Sequence, residues 1–182
     1  VIDNLVFYVE KDELRCVIGP NGAGKTTLLD MICGKTKPSN GKIRFKDYAL
    51  EQMIEYQITR VGVGRKFQNP SVYEDLTVLE NLQSSYPRKR GTPGSLFFKR
   101  DEELIRKIDT VANQIFLHEV LRHKAAQLSH GQKQWLEIGM LLMQDPELLM
   151  LDEPIAGMSA RERELTADLL NRIGKDRSMI VI

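Results

Sequence analysis

Cysteine, long apolar runs and net charge are all scarce in this sequence. Its two cysteines, Cys16 and Cys33, lie in apolar segments that would bury a small thiol, and their spacing matches neither a disulfide framework nor a metal site. No apolar run approaches the roughly 18 residues of a spanning helix, and no basic signal-peptide segment opens the chain. A net charge of +1 favours neither nucleic acid nor an anionic membrane. We therefore expect a soluble cytoplasmic chain that does not bind nucleic acid.

The length and the two ends of the chain indicate one domain that is not whole. A chain of 182 residues with 42% hydrophobic content is long enough for a single folded core. The first residue is not methionine, and the apolar run 179–182 has the composition of a strand with nothing after it. We expect residues 1–182 to be a single domain truncated at both ends.

Short apolar runs alternate with helical patterns along the chain. Residues 14–18 and 148–151 have the composition of strands, whereas apolar residues recur at helical spacing over 25–33 and 131–143. Strands that alternate with helices predict an α/β fold with a mostly parallel sheet. The alternating stretch 42–45 predicts a strand of a small antiparallel layer.

The middle and the end of the chain carry further helix signals. Thr77 with Glu80 and Ser159 with Glu162 have the spacing of capping boxes, and each pair precedes an apolar helical pattern. Between them, apolar residues over 104–115 fall on one face of a third helix. The middle region is therefore predicted to be helical.

Residues 19–26, Gly-Pro-Asn-Gly-Ala-Gly-Lys-Thr, match the phosphate-binding loop between a predicted strand and a predicted helix. Glycines let backbone N–H groups turn toward a phosphate at the helix N-terminus. Lys25 would reach the β- and γ-phosphate oxygens of ATP, and the Thr26 hydroxyl would bind Mg²⁺. The alternative is a glycine-rich turn without a ligand, which the complete pattern disfavours. The predicted nucleotide-binding residues are Asn21, Gly22, Ala23, Gly24, Lys25, Thr26 and Thr27.

Two acids follow the apolar strand at 148–151. In a parallel sheet, Asp152 and Glu153 would lie at the carboxyl edge beside the phosphate loop, where ligands bind. Asp152 is predicted to hold Mg²⁺ directly or through water, and Glu153 to polarise the water that attacks the γ-phosphate. Two solvated acids at a strand end are the alternative, which the nearby phosphate loop disfavours.

Residues 128–132, Leu-Ser-His-Gly-Gln, open a helix shortly before the acidic strand. Ser129 and the backbone amides around Gly131 would form a second anion site, with Gln132 among its nucleotide-binding residues. One chain already has its own phosphate loop. A second site makes sense if it serves the nucleotide of another copy, in a head-to-tail pair with ATP at the interface.

In this order and spacing, segments 19–26, 128–132 and 148–153 resemble the Walker A, signature and Walker B motifs of ABC transporter ATPases. The resemblance extends to Phe67-Gln68, similar to the Q-loop, and to 156–159 at the D-loop position. It implies that Gln68 contacts Mg²⁺ and the attacking water. It also implies a three-layer, RecA-like P-loop NTPase core over 1–68 and 136–182, with a small antiparallel β layer and an inserted helical subdomain, 69–135, that carries the signature.

The stretches 64–68, 128–139 and 153–158 are similar to importers of the branched-chain amino acid type, and within these to the urea or short-chain amide subunit. The resemblance implies ATP hydrolysis and ATP-driven dimerisation with a second ABC ATPase, either the same chain or a paralogue. It implies transmembrane permease subunits as partners and, indirectly, a periplasmic or extracellular solute-binding protein. The chain would then be peripheral on the cytoplasmic face of the inner membrane.

Some features depart from the family pattern. His130 replaces the usual signature glycine, and Ser159 replaces the usual D-loop aspartate. The adenine-stacking aromatic would precede Val1 and the switch histidine would follow Ile182, so we expect weak activity from residues 1–182 alone. Two other readings are a soluble ABC-family ATPase without a membrane partner, and a small-molecule kinase or GTPase, against which Glu153 and the second anion motif argue.

Overall fold

A computed structural model describes residues 2–66, 71–87 and 102–182, and internal contacts divide the chain into two units. The first unit contains Val1–Gln68, Pro146–Ala156 and Leu170–Ile182. The second contains Asn69–Asp145 and Gly157–Leu169. The family subdomain limits at 68/69 and 135/136 stay a prediction.

The first unit is built around a parallel sheet. The strands are β1 (Leu14–Cys16), β2 (Arg44–Phe45), β3 (Tyr48–Ala49), β4 (Val63–Lys66), β5 (Leu148–Leu151) and β6 (Ser178–Val181). Four of them form a parallel sheet in the order β1-β6-β5-β4, and β2 pairs with β3 in a small antiparallel sheet. The predicted α/β fold with a mostly parallel sheet and a small antiparallel layer is confirmed. The strand β4 was not predicted, because Gly64, Arg65 and Lys66 interrupt its apolar pattern.

The helices are α1 (Lys25–Ile32), α2 (Glu55–Arg60), α3 (Val78–Ser84), α4 (Glu102–Gln114), α5 (His130–Leu142) and α6 (Ala160–Ile173). Short 3₁₀ turns occur at Leu50–Gln52, His118–Val120 and Ala125–Gln127. The unit boundary falls within α6. Across the described parts of the chain, no helix has both the length and the apolar character needed to cross a membrane.

An apolar cluster of the first unit packs on one face of the parallel sheet. The core residues come from α1 and its C-cap, the first 3₁₀ turn, α2 and the strands, and they are Leu29, Ile32, Cys33, Leu50, Ile58, Val63, Leu148, Met150 and Ile180. Strand β5 is buried along its whole length, as expected for an inner strand of a parallel sheet. Cys33 is buried as predicted, whereas Cys16 is exposed. The prediction for Cys16 is wrong because burial alternates along the edge strand β1 and Cys16 lies on its exposed side.

The second unit packs α3, α4 and α5 against one another. The helices approach closely at Gly139, where an added Cβ would lie 2.5 Å from Cδ1 of Ile115 and 3.1 Å from Cδ2 of Leu82. Trp135 on α5 is 5% exposed and donates its indole N–H to Oγ1 of Thr166 over 2.8 Å. Trp135 is therefore a packing residue of this unit.

Candidate functional site

The phosphate-loop pattern lies between β1 and α1, where it was predicted. Gly22 and Gly24 adopt φ angles of 83° and 90°, which side chains other than glycine disfavour. Gly24 is the N-cap of α1 and supplies no side-chain hydrogen bond to the helix. The first-turn N–H groups of α1 have no intrahelical acceptor, so a bound anion would satisfy them.

Lys25 begins α1 and folds back onto the loop. Its Nζ donates to the carbonyl oxygen of Gly19 over 2.8 Å and of Pro20 over 3.0 Å. The other predicted nucleotide-binding residues lie in this loop and the first turn of α1, where Gly24 is buried, Thr27 is half-buried, and the exposed residues are Asn21, Gly22, Ala23 and Thr26. A cation and a row of backbone donors therefore lie together at the N-terminus of α1.

Asp152 and Glu153 follow β5 at the same edge of the sheet. Strands β1 and β5 are parallel to each other and separated by β6 alone, a spacing of about 10 Å across the sheet. The Asp152 side chain is 2% exposed, whereas Glu153 is exposed. The loop after β1 and the acids after β5 thus leave the sheet from one edge, which is where open α/β sheets bind ligands.

Glu153 has an unusual backbone conformation. Its φ angle of 47° lies in the left-handed region that residues other than glycine seldom adopt. Its N–H donates to the carbonyl oxygen of Ile182 over 3.1 Å, and its own carbonyl accepts from the N–H of Ala156 over 3.1 Å. Strain of this kind, held in place by hydrogen bonds, is a recognised pointer to a functional position.

Arg65 on β4 links the phosphate-loop helix to the acidic strand end. Its Nη1 lies 2.6 Å from Oδ1 of Asp30 on α1, and its Nη2 lies 3.7 Å from Oδ2 of Asp152. The Arg65 side chain is 4% exposed. Burial opposes its charge, but hydrogen bonds to Cys33 and Asp30 outweigh burial and raise the pKa of Arg65. No role was predicted for Arg65 or Asp30 from the sequence. Asp30 could have been identified as an acid one helical turn after Thr26, a predicted magnesium ligand.

The donor set at this edge fits a magnesium ion. Oδ2 of Asp152 is buried and makes no hydrogen bond within the residues that the structure describes. Thr26 and Asp30 are four residues apart and share one face of α1, and Asp30 is linked through Arg65 to Asp152. Carboxylate and hydroxyl oxygens, completed by water and phosphate, are ligands that Mg²⁺ prefers. Gln68, the other predicted metal contact, lies outside the described residues.

The second predicted anion site lies at the N-terminus of α5. Ser129 is the N-cap, and its Oγ accepts from the N–H of Gln132 over 3.2 Å while Oε1 of Gln132 accepts from the N–H of Ser129 over 3.0 Å. Gly131 is buried in the first turn. The three predicted residues therefore share one helix terminus, in the second unit.

Glu162 on α6 also contacts this terminus, which the sequence reasoning did not predict. Its Oε1 accepts from Oγ of Ser129 over 3.0 Å, and a Cβ added to Gly131 would lie 2.4 Å from that oxygen. Its Oε2 accepts from the N–H of Ser159 over 2.9 Å and from Oγ of Ser159 over 2.8 Å. The predicted Ser159–Glu162 capping box is thus confirmed.

The surroundings of Glu162 favour its ionised form. The backbone N–H of Ser159, followed by the hydroxyls of Ser159 and Ser129, holds the pKa of Glu162 below its ordinary value, against a smaller opposing effect of burial. A single carboxylate therefore carries hydrogen bonds from the N-terminal regions of both α5 and α6.

Comparison with known proteins gives one consistent result. The ABC transporter family description matches residues 2–156. The chain is 35% identical over 181 residues to the high-affinity branched-chain amino acid transport ATP-binding protein LivG of Escherichia coli, covering 93% of this chain and 71% of LivG. It is 33% identical over 177 residues to a probable LivG of Methanocaldococcus jannaschii, covering 94% of this chain and 68% of that relative.

A solved structure gives the same result for the fold. The ADP conformation of MJ1267, an ATP-binding cassette of an ABC transporter, superimposes with a TM-score of 0.80 at 31% identity. The match covers 96% of this chain and 71% of MJ1267. This similarity agrees with the predicted P-loop NTPase core.

Proposed function

This chain belongs to the ABC transporter family, and on that premise we propose that it is the ATP-binding and ATP-hydrolysing subunit of a solute importer. The observation that carries the proposal is the shared sheet edge, at which the loop holding Lys25 follows β1 and the acids Asp152 and Glu153 follow the parallel strand β5. The N-terminus of α5 at Ser129 extends the proposal from one nucleotide site to a pair of half-sites.

The first half-site binds ATP through the phosphate loop. Backbone N–H groups of residues 21–27 and the N-terminus of α1 bind the phosphates, and the Lys25 ammonium moves from its loop carbonyls to the β- and γ-phosphate oxygens. Glu153 orients and polarises the water that attacks the γ-phosphorus in line with the leaving oxygen. Because Glu153 is exposed, its carboxylate is accessible to that water.

Thr26 and Asp152 would hold Mg²⁺, directly or through water, with Gln68 as a further contact. The ion would neutralise charge on the β- and γ-phosphate oxygens during transfer. The chain contributes by holding the magnesium ligands in position. Arg65 holds Asp152 near the face of α1 that carries Thr26.

The second half-site would serve the nucleotide of a partner cassette. Ser129, Gly131 and Gln132 at the N-terminus of α5 present a hydroxyl and backbone N–H groups, which suit the γ-phosphate of the partner's ATP. ATP would then close two cassettes head to tail, and hydrolysis would open them. The partner is a second copy or a paralogous ABC ATPase.

Import requires subunits beyond this chain. Transmembrane permease subunits would receive the closure movement through the Q-loop region, and an external solute-binding protein would deliver the solute to them. The chain would lie on the cytoplasmic face of the membrane. The names of the relatives support a branched-chain amino acid as the solute, and the narrower assignment to urea or a short-chain amide stays a prediction.

The substitution Glu153→Gln tests the two-site cycle. It removes the base while keeping the side-chain shape, so we expect the ATPase rate to fall by at least about a hundredfold and a stable dimer to accumulate with MgATP. Hydrolysis is measured by phosphate release, and assembly by sedimentation with saturating MgATP. A variant that stays monomeric under those conditions contradicts the paired-site proposal.

A further inference from the structure

The carboxylate of Glu162 lies where the second half-site needs a phosphate. Its Oε1 accepts the hydrogen bond of the Ser129 hydroxyl over 3.0 Å and would lie 2.4 Å from a Cβ added to Gly131. These are two of the residues assigned to the partner's γ-phosphate. Glu162 carries the charge and the acceptor oxygens that a phosphate would bring to the same helix terminus.

The two anions cannot use Ser129 at once. A serine hydroxyl has a single proton to donate, and in the present arrangement that proton is directed to Glu162. A γ-phosphate beside Ser129 would also face the negative charge of Glu162 at close range, which is unfavourable. The arrival of the partner's nucleotide therefore requires the Glu162–Ser129 hydrogen bond to break.

We propose that Glu162 is a positioning residue of the second half-site that holds the Ser129 hydroxyl before assembly and releases it to the γ-phosphate of the partner's nucleotide. The inference rests on the proposed function of Ser129. Glu162 thereby opposes the closure of two chains that hold no ATP. Without the partner's ATP, the Glu162 carboxylate stays bound to Ser129 at the second half-site.

The release does not require the D-loop turn to unfold. The other oxygen of Glu162 keeps its two hydrogen bonds to Ser159, at 2.9 and 2.8 Å, so the carboxylate stays attached to α6 while Oε1 leaves Ser129. This arrangement also gives a reason for serine at position 159. The Ser159 hydroxyl donates to Glu162, whereas the aspartate usual in the family would place a second negative charge beside it.

The chain offers a matched control in Glu80. Glu80 forms the same capping box with Thr77, in which its Oε2 accepts from the N–H and Oγ1 of Thr77 over 2.8 Å each. Glu80 lies on α3 and has no part in either half-site. A change from glutamate to glutamine at position 80 therefore reports the effect on a capping box alone.

The experiment compares Glu162→Gln with Glu80→Gln, each combined with Glu153→Gln so that ATP binding is read without hydrolysis. Glutamine keeps an oxygen for Ser159 but turns an NH₂ group toward Ser129, which leaves the serine proton for the phosphate. We expect Glu162→Gln to lower the MgATP concentration for half-maximal dimer formation by at least about tenfold, the size of one hydrogen bond to a charged group. Glu80→Gln should stay within about twofold of its parent.

A second readout separates positioning from structure. In chains that retain Glu153, Glu162→Gln should lower the half-saturating MgATP concentration for hydrolysis more than it changes the maximal rate. Thermal unfolding should shift further in Glu162→Gln than in Glu80→Gln, because Glu162 also accepts the hydrogen bond of Ser129, but a loss of stability alone would not lower the half-saturating MgATP concentration. An unchanged or raised half-saturating concentration in Glu162→Gln overturns the inference. If the Glu153→Gln parent itself binds no MgATP or forms no dimer, the proposed function fails instead.

Discussion

The N-termini of α1 and α5 are both assigned to phosphate, yet they are built in opposite ways. At α1 the cap is Gly24, which supplies no side-chain hydrogen bond, and the Lys25 ammonium folds back onto the preceding loop. At α5 the cap is Ser129, whose hydroxyl satisfies a first-turn N–H and is itself bonded to Glu162. The first terminus presents positive charge and unsatisfied donors. The second is already neutralised by a carboxylate of its own chain.

This difference indicates that the two half-sites need not bind nucleotide in the same step. The proposed nucleotide site at the α1 terminus needs no exchange of anions, because its cap Gly24 supplies no side-chain acceptor to the first-turn N–H groups. The α5 terminus requires the exchange of one anion for another. Under the proposed function, an ordered cycle would follow, in which each chain first binds its own ATP and then presents it to the partner's α5.

The largest expected effect comes from removing the support of the α1 site. Arg65→Met would leave the carboxylates of Asp30 and Asp152 without their buried cation, at a cost of about 3–5 kcal/mol in the free energy of unfolding. Urea denaturation followed by circular dichroism measures this.

The control for Arg65 is an exposed ion pair in the same unit. Lys46 and Glu147 form such a pair with side chains about half exposed, at 50% and 56%, so Lys46→Met should cost about 1 kcal/mol or less. Equal losses for the two variants would show that Arg65 does not support the α1 site.

A smaller effect is expected from removing the cap of α5. Ser129→Ala and Thr77→Ala each delete an N-cap hydroxyl and should each lower the free energy of unfolding by about 1 kcal/mol. Ser129→Ala should in addition lower kcat/KM for MgATP by about tenfold if its hydroxyl also binds the partner's phosphate as proposed. Phosphate-release kinetics on both variants test this, and equal ATPase activity would remove Ser129 from the second half-site.

The smallest effect concerns the pH dependence of the ordinary capping box at α3. The backbone N–H of Thr77, followed by its hydroxyl, lowers the pKa of Glu80. A carboxylate with a lower pKa in the folded state stabilises the fold above its unfolded pKa of about 4.3 and loses that contribution as the pH falls through the folded pKa. The difference in unfolding midpoint between the parent protein and Glu80→Gln should therefore be present at pH 7 and shrink toward pH 3. A difference that is the same at both pH values would contradict this assignment.

Local patterns in the sequence predicted strands and helix starts correctly where the pattern depends only on neighbouring residues. The run at 148–151 is β5 to the residue, and both capping boxes form as their spacing indicated. Strand β4 was missed because Arg65 and Lys66 read as surface residues. Both are buried, and the ion pairs of Arg65 lie with residues 35 and 87 positions away in the chain.

By itself, the sequence determined the chemistry at each position: the glycines that free a helix terminus, the lysine that follows them, the acids after a buried strand and the serine that opens α5. These features depend on residues that are a few positions apart, and such spacings can be read directly from the sequence. The tertiary structure alone decided which charges meet. Arg65 reaches Asp30 and Asp152, and Glu162 reaches Ser129, only because folding places distant helix termini and strand ends side by side. Electrostatic interactions depend on distance in space and not on separation along the chain, so the covered state of the second half-site could not be predicted from spacing.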